Sequence, residues 1–350
     1  MRLKFLFTGP RDLYATPALD KLLFATKFIR GETVLVHWSS NNDITKKDHT
    51  EYHFTHKKNY INLIKWQWFL YKKMVKHKPN VVVNMSILSF FPIVFYRLTN
   101  KIKIIYDCRD YLAESYNFNI FFSIIIKLFE NIATYFSSLI IVPDSHGYKY
   151  FNLCKQNKIH VIHNTVRDTN ARKKHNKGNI KLAYLGYFSQ DRNLNQIFKF
   201  IERNPKIELH IACNYIPEKL RRIIPNLHNI IYHGRLEHKD AQKLLSKMDY
   251  CLLMYNPSLG NYQYIQPTKF YDCLSIGLPY ICSKGMVNLE KHVNNKTENI
   301  SWEYGMSMND LPLKNTNFSV YSRNIYNEKY DYEKILYEYK DVMETVCKET

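Results

Sequence analysis

P-T-K-F-Y-D-C-L-S-I-G-L-P, residues 267 to 279, begins with a helix-start signal and ends with a helix-stop signal. Pro267 suits the first turn of a helix, where its missing N–H has no intrahelical partner, and Gly277 suits the left-handed residue that ends one. The apolar run Tyr280, Ile281, Cys282 follows directly, so the segment reads as a short helix running into a strand. Lys269 sets a positive charge beside the free N–H groups of that helix start, a combination that attracts phosphate. Asp272 lies far enough along to accept hydrogen bonds from a ribose. The stretch therefore suits a nucleoside diphosphate. The plainer alternative is one more α/β unit, with Lys269 solvated and Asp272 in a surface pair.

Outward from this stretch, short apolar runs alternate with helical patterns throughout, the mark of parallel sheets covered by helices. One series of strands is expected at Leu3 to Phe7, Thr33 to His37, Val81 to Asn84, Lys103 to Asp107, Leu139 to Val142 and His160 to Ile162. A second is expected at Lys181 to Leu185, Glu208 to Ala212, Ile230 to His233, Tyr250 to Met254 and Tyr280 to Ser283. Residues 166–179 are polar and basic with no apolar period, and read as a linker. The expected organisation is an acceptor domain over 1–165, the linker, and a donor domain over 180–325. Residues 326–350 follow as a closing segment, in which Tyr332, Ile335, Leu336, Tyr339, Val342, Met343 and Val346 keep helical spacing.

Composition bounds the partners. The formal charge is +19, spread along the chain, and attracts nucleic acid, anionic headgroups or nucleotide-linked substrates alike. No RNA-recognition signature, zinc spacing or basic helix leading into heptads appears, so nucleic acid is not expected as a partner. Seven scattered cysteines without a C-x-x-C pair point to buried thiols in a reducing, cytoplasmic setting. The most apolar window, residues 118 to 142, is interrupted by Lys127, Glu130 and Asn131. It reads as an amphipathic helix from Ile120 to Phe136 and a strand, not as a membrane span. Core packing is the first expectation for that helix, and attachment to a membrane surface the second.

In open parallel sheets, ligands bind beyond the carboxyl ends of the strands. Gly9 and Arg11 follow the first strand, Arg109 and Asp110 follow the strand ending at Asp107, and Gly186 to Arg192 follow the strand ending at Leu185. Asn256 to Gln266 form a further loop of this kind.

H-G-R-L-E-H-K-D-A-Q-K-L-L-S-K-M-D-Y-C-L-L-M-Y, from His233 to Tyr255, leads into the opening stretch, and L-A-Y-L-G-Y-F-S-Q-D-R-N-L runs from Leu182 to Leu194. Together they resemble the retaining GT-B glycosyltransferases that build bacterial surface polysaccharides, over nearly the whole length. The resemblance implies an α/β fold of two doubly wound, Rossmann-like domains facing a cleft. It further implies that Gly186, Arg192 and Lys269 hold the donor phosphates and that Asp272 stands where the family usually has a ribose-binding glutamate. The family's first glutamate is replaced by Tyr264, so backbone groups around Ile265 and Gln266 are expected to meet the sugar instead. Y-D-C-R-D-Y-L-A-E, from Tyr106 to Glu114, resembles the segment that carries the family's His-Asp pair. Arg109 takes the histidine place and Asp110 the aspartate place, and an arginine cannot serve as a base at neutral pH. The alternative is a structural pairing of these two at a strand end. Gly9 and Arg11 are assigned to the cleft by their position alone.

The activity implied is retaining, metal-independent transfer of a sugar from a nucleotide-diphosphate sugar, UDP-linked by family frequency. The acceptor implied is a lipid-linked or growing surface glycan of the capsule, O-antigen or lipooligosaccharide type. No cofactor is expected, and the place implied is the cytoplasm at the inner face of the membrane, where an anionic surface is a candidate partner. Three alternatives stand beside it: a sugar-nucleotide epimerase, a polyanion-binding protein and a non-catalytic scaffold of the same fold.

Overall fold

The computed structural model describes residues 3–10, 13, 18–39, 44–45, 49–115, 118–218 and 227–348. The chain divides into two compact units, Met1–Asn164 with Glu333–Thr350, and Thr165–Tyr332.

The first unit is built on β1 (Lys4–Gly9), β2 (Glu32–His37), β3 (Ile44–Thr45), β4 (His49–His53), β5 (Val81–Asn84), β6 (Lys103–Asp107), β7 (Leu139–Val142) and β8 (Ile159–Val161). They form one sheet in the order β3-β4-β2-β1-β5-β6-β7-β8, parallel except for β3. Runs such as V-V-V-N and L-I-I-V are buried on both faces, as central parallel strands require. Its helices are α1 (Leu19–Phe28), α2 (Tyr60–His77), α3 (Phe90–Thr99), α4 (Leu112–Ser115), α5 (Ile120–Phe136) and α6 (His146–Tyr150).

The second unit contains β9 (Ile180–Leu185), β10 (Ile207–Ala212), β11 (Ile230–Tyr232), β12 (Tyr250–Leu253), β13 (Tyr280–Ser283) and β14 (Ile300–Trp302). All are parallel, in the order β11-β10-β9-β12-β13-β14. Counted along the chain this is 3-2-1-4-5-6, the Rossmann order, with its reversal between β9 and β12. The covering helices are α7 (Leu194–Arg203), α8 (His238–Leu245), α9 (Thr268–Ile276), α10 (Val287–Glu290) and α11 (Val320–Ile325). The last helix, α12 (Tyr332–Lys348), sends Ile335, Tyr339, Met343 and Val346 into the core of the first unit.

Three expectations change. Strands β3, β4 and β14 were not expected: β4 reads H-T-E-Y-H, and β14 has only three residues. The segment over 166–179 is pinned to the second unit and does not hang free as a linker. Lys173 N–H donates to the Ile276 carbonyl at 3.0 Å and Lys174 N–H to that of Ser246 at 2.7 Å. The Lys173 ammonium lies 3.4 Å from Asp249, both side chains fully buried, and Asp168 pairs with Arg323 at 2.7 Å. The closing segment also starts later than residue 326, because a π-helical turn over Tyr326–Tyr330 packs Tyr326 and Tyr330 into the second unit's core.

The amphipathic helix expected over Ile120 to Phe136 is α5, but it does not pack its apolar side inward. Its buried residues are Glu130, Asn131, Ala133 and Thr134, while Ile120, Phe121, Phe122, Ile124, Leu128 and Phe129 are exposed. The inward polar groups are all employed. Glu130 accepts from the Leu112 and Ala113 N–H groups at 3.2 and 3.3 Å and from the Tyr150 hydroxyl. Asn131 donates to the Tyr150 carbonyl at 3.4 Å and accepts from Leu153 N–H at 3.3 Å. The outward apolar side continues onto α3, where Phe91 lies 5.9 Å from Phe129, and exposed Phe95 leads through Tyr71 to Trp68 on α2. No helix among the described residues is long and apolar enough to cross a membrane.

Candidate functional site

At the reversal point of the second sheet, β9 ends at Leu185 and the chain turns at Gly186 with φ of +132°, a conformation L-residues rarely adopt. A Cβ there would meet no atom within 4 Å, so the backbone faces open space and a ligand can approach it closely. Helix α9 supplies the next part. Pro267 flanks it with φ −65° and Gly277 ends it in the left-handed region at φ 73°, as the sequence predicts. A side chain at Gly277 would also strike the Phe318 ring, 2.5 Å from the Cβ position.

Between these features lies a cavity of about 250 Å³ at the carboxyl ends of β9 and β10. Gly186 and Tyr187 line it after β9, Cys213 to Tyr215 after β10, and Arg235 and Leu236 after β11, with Lys269 reaching in from α9. Tyr187 and Tyr215 are exposed aromatics, and Lys269 and Arg235 are its cations. Open backbone at Gly186, two exposed aromatic side chains and two cations suit a nucleoside diphosphate in chemical character and charge.

The Lys269 ammonium lies 3.1 Å from Asp272 Oδ2. Burial works against its charge, but the neighbouring carboxylate outweighs burial and holds its pKa above the ordinary lysine value. Asp272 itself is fully buried, and its oxygens are occupied. Oδ1 lies 2.8 Å from His238 Nε2 and accepts from Gln242 Nε2 at 2.8 Å, while Oδ2 faces Lys269. Burial pushes its carboxyl up, and the His238 hydrogen bond and Lys269 charge more than reverse this, leaving it below the usual carboxylate range. Asp272 is therefore not placed to meet a ribose: the structure makes it the fixed counter-charge that aims Lys269.

The other expected residues divide. Arg192 ends a 3-10 turn, with its guanidinium 3.6 Å above the Tyr255 ring, 5.0 Å from Tyr262 and its Nε 3.6 Å from Asp191. It thus ties the loop after β9 to tyrosines of the loop after β12 and does not line the cavity with Gly186 and Lys269. The Tyr264 and Ile265 N–H groups both donate to the Asn261 carbonyl, at 2.8 and 3.1 Å, so neither amide is offered to a sugar. Gln266 is held by the hydroxyls of Tyr271 and Tyr330, at 2.9 and 3.4 Å.

In the first unit, Arg109 pairs with Asp107 at 2.5 Å and packs 5.4 Å from the Tyr339 ring. Asp107 is wholly buried at the end of β6, so its charge needs a partner within reach, and Asp110 is exposed. Gly9 ends β1 in register with His37, and Arg11 lies outside the described residues. One cavity residue and one polar pair of the first unit escaped the sequence reading. Arg235 sits inside the quoted H-G-R-L stretch, one residue past a glycine at φ 69°, which was the available signal. The His146–Glu114 pair, at 2.8 Å, joins α6 to α4, and no spacing announces it.

No protein-family model matches this sequence, and no curated protein matches it. Solved structures do. Sucrose-phosphate synthase from Thermosynechococcus elongatus superposes with a TM-score of 0.78 at 11% identity, over 100% of both chains. Anabaena HepE in complex with UDP and glucose gives 0.73 at 12%, over 98% of this chain and 100% of that one. The fold is that of the GT-B glycosyltransferases. The lipopolysaccharide outer core galactosyltransferase WaaB gives 0.62 at 12%, over 99% of each chain. At such identities the likeness is one of fold, and the chemistry has to be argued from the GT-B framework and this chain's own side chains.

Proposed function

We propose that this protein is a glycosyltransferase that binds a nucleotide-diphosphate sugar, with uridine as the base, in the cavity of the second unit. The sugar passes to a lipid-linked or growing surface glycan. The observation that carries the proposal is the meeting of open backbone at Gly186 with the Lys269 ammonium across one cavity at the strand ends. In the same fold, HepE has been solved with UDP-glucose.

In this mechanism the diphosphate lies against the Gly186 turn and the Lys269 side chain. As the bond from sugar to phosphate breaks, negative charge grows on the leaving diphosphate, and a fixed cation stabilises that state more than the ground state. Asp272 and His238 hold Lys269 in place beforehand, so little reorganisation is needed as the charge appears. Arg235 supplies a second cation, and Arg192 a third once it leaves its tyrosine pair. Retention follows if the departing phosphate takes the acceptor's proton, which removes the need for a protein base. These cations also supply the charge that a metal provides elsewhere, which is why the reaction is proposed to be metal-independent.

The exposed apolar side of α5 and α3 supports a lipid-linked acceptor. Aromatic side chains beside a strongly basic chain suit the headgroup region of an anionic leaflet. The test is calorimetric titration with UDP, GDP, ADP and UDP-sugars. Wild type is expected to bind UDP in preference to the others, and Lys269→Ala and Arg235→Ala to bind it at least tenfold more weakly. A folded wild type that binds no nucleotide sinks the proposal.

A further inference from the structure

His37, Glu51 and His53 have no part in the transfer proposed above, yet three ligand-type side chains converge there inside the first unit. Strand β4 reads H-T-E-Y-H, and the two-residue period of a strand puts His49, Glu51 and His53 on one face. The parallel register sets His37 of β2 beside His53, and Leu35 beside Glu51, so His37 joins that face. Tyr52, Val34 and Val36 enter one core cluster while Leu35 enters the other, which places the His–Glu face on the Leu35 side of the sheet.

All three side chains are buried: His37 is 0%, Glu51 2% and His53 7% exposed. Glu51 Oε2 lies 3.3 Å from His53 Nε2 and 3.9 Å from His37 Nε2. The three ligand atoms fall within 4.8 Å of one another, the one such group among the described residues. Ligands about 2.0–2.2 Å from a tetrahedral ion stand roughly 3.3–3.6 Å apart, so the Glu51–His53 edge already fits, while the ion would draw in the longer edges and turn the two histidine rings, stacked 4.7 Å apart, toward each other. We propose that His37, Glu51 and His53 bind one divalent transition-metal ion of the zinc class.

Two further contacts support this assignment. The Ser39 hydroxyl lies 2.7 Å from His53 Nδ1, and His49 Nε2 lies 2.7 Å from Glu51 Oε1. Each holds the atom of a ligand that would face away from the ion, the arrangement that orients metal-binding histidines and carboxylates. Two imidazoles and one carboxylate favour zinc over magnesium or calcium, which take oxygen. At His37 the metal-free state differs: the Leu13 N–H approaches Nδ1 at 3.3 Å, which leaves the ring proton on Nε2. An ion at Nε2 requires the other tautomer, with the ring proton moved to Nδ1, so binding gives up the Leu13 contact. Once bound, the ion cross-links β4 to β2.

The test uses untagged, chelator-washed protein titrated with zinc in competition with a chromophoric chelator. The expected result is one zinc per chain, bound at least a hundredfold more weakly by Glu51→Gln and His53→Ala, and ten- to a hundredfold more weakly by His49→Gln. Absence of stoichiometric zinc binding by folded wild type overturns the proposal, as does binding that these substitutions leave unchanged. Should the ligand variants fail to fold, X-ray absorption on zinc-loaded wild type decides. Nitrogen and oxygen neighbours alone uphold the site, and sulfur neighbours assign the ion to cysteines and overturn it.

Discussion

Helices α5 and α9 are both rich in apolar side chains, and each buries one carboxylate, yet they are built in opposite senses. Helix α9 buries seven of its nine residues. Helix α5 buries four of seventeen, three of them polar, and turns its phenylalanines and isoleucines outward. The carboxylates differ in the same way. Asp272 faces a lysine and a histidine, and its pKa falls despite burial. Glu130 meets only neutral donors, Tyr150 and two backbone amides, and burial wins, so its pKa rises. An apolar helix is thus no evidence of a core, and a buried carboxylate is no evidence of an ion pair: what the face meets decides both.

The strongest way to break this comparison is to remove each carboxylate in turn. Asp272→Ala leaves Lys269 and His238 without their shared counter-charge, and is expected to cost about 3–5 kcal/mol. Glu130→Gln removes a charge the site holds poorly but turns an amide NH2 toward one of the backbone N–H groups that Glu130 accepts from, so it is expected to cost about 1–3 kcal/mol at pH 7. Urea unfolding of both variants checks this, and equal losses would erase the distinction.

The pH dependence separates them further, with opposite signs. Asp272 has a depressed folded pKa, so its contribution is complete above the unfolded value near 4 and fades as pH falls through the lower folded value. The stability gap between wild type and Asp272→Asn should therefore shrink only in acid. Glu130 has a raised folded pKa, so the folded state takes up its proton first, and wild type gains on Glu130→Gln as pH falls toward the ordinary glutamate value near 4.3. Unfolding at several pH values between 3 and 7 measures both slopes. Slopes of the same sign would mean that the neutral donors around Glu130 act as a full charge partner.

The central strands of the first unit and α9 of the second were legible in the sequence because their signals are local. Pro267 and Gly277 bound α9 within one residue, and V-V-V-N and L-I-I-V coincide with β5 and β7. What was not legible depends on contacts distant in the chain. Nothing near Asp272 announces that His238 and Gln242, some thirty residues earlier, close over it. Arg109 was expected in the family's histidine place, with a pairing to Asp110 as the alternative, and nothing nearby announces its contact with Asp107, sealed at a strand end. Strand β4 escaped because its buried face is histidine and glutamate, which the alternation rule reads as exposed.

The smallest expected effect on stability tests the other half of the comparison. Phe121 and Ile124 on α5 are each more than 60% exposed, so replacing both with serine removes little packing. The double variant should unfold within about 0.5 kcal/mol of wild type, whereas Phe270→Ala in α9 should lose about 3–5 kcal/mol. If the outward face meets a membrane, the same double substitution carries a large effect elsewhere. Each buried apolar side chain is worth about 1.5–3 kcal/mol, so binding to vesicles rich in anionic lipid should fall at least tenfold. Sedimentation with such vesicles at low and high salt reads this loss and separates it from attraction by charge alone, which salt abolishes and the substitution leaves intact. Undiminished vesicle binding by the double variant would show that the apolar face of α5 is not what meets the lipid, whatever the charge does.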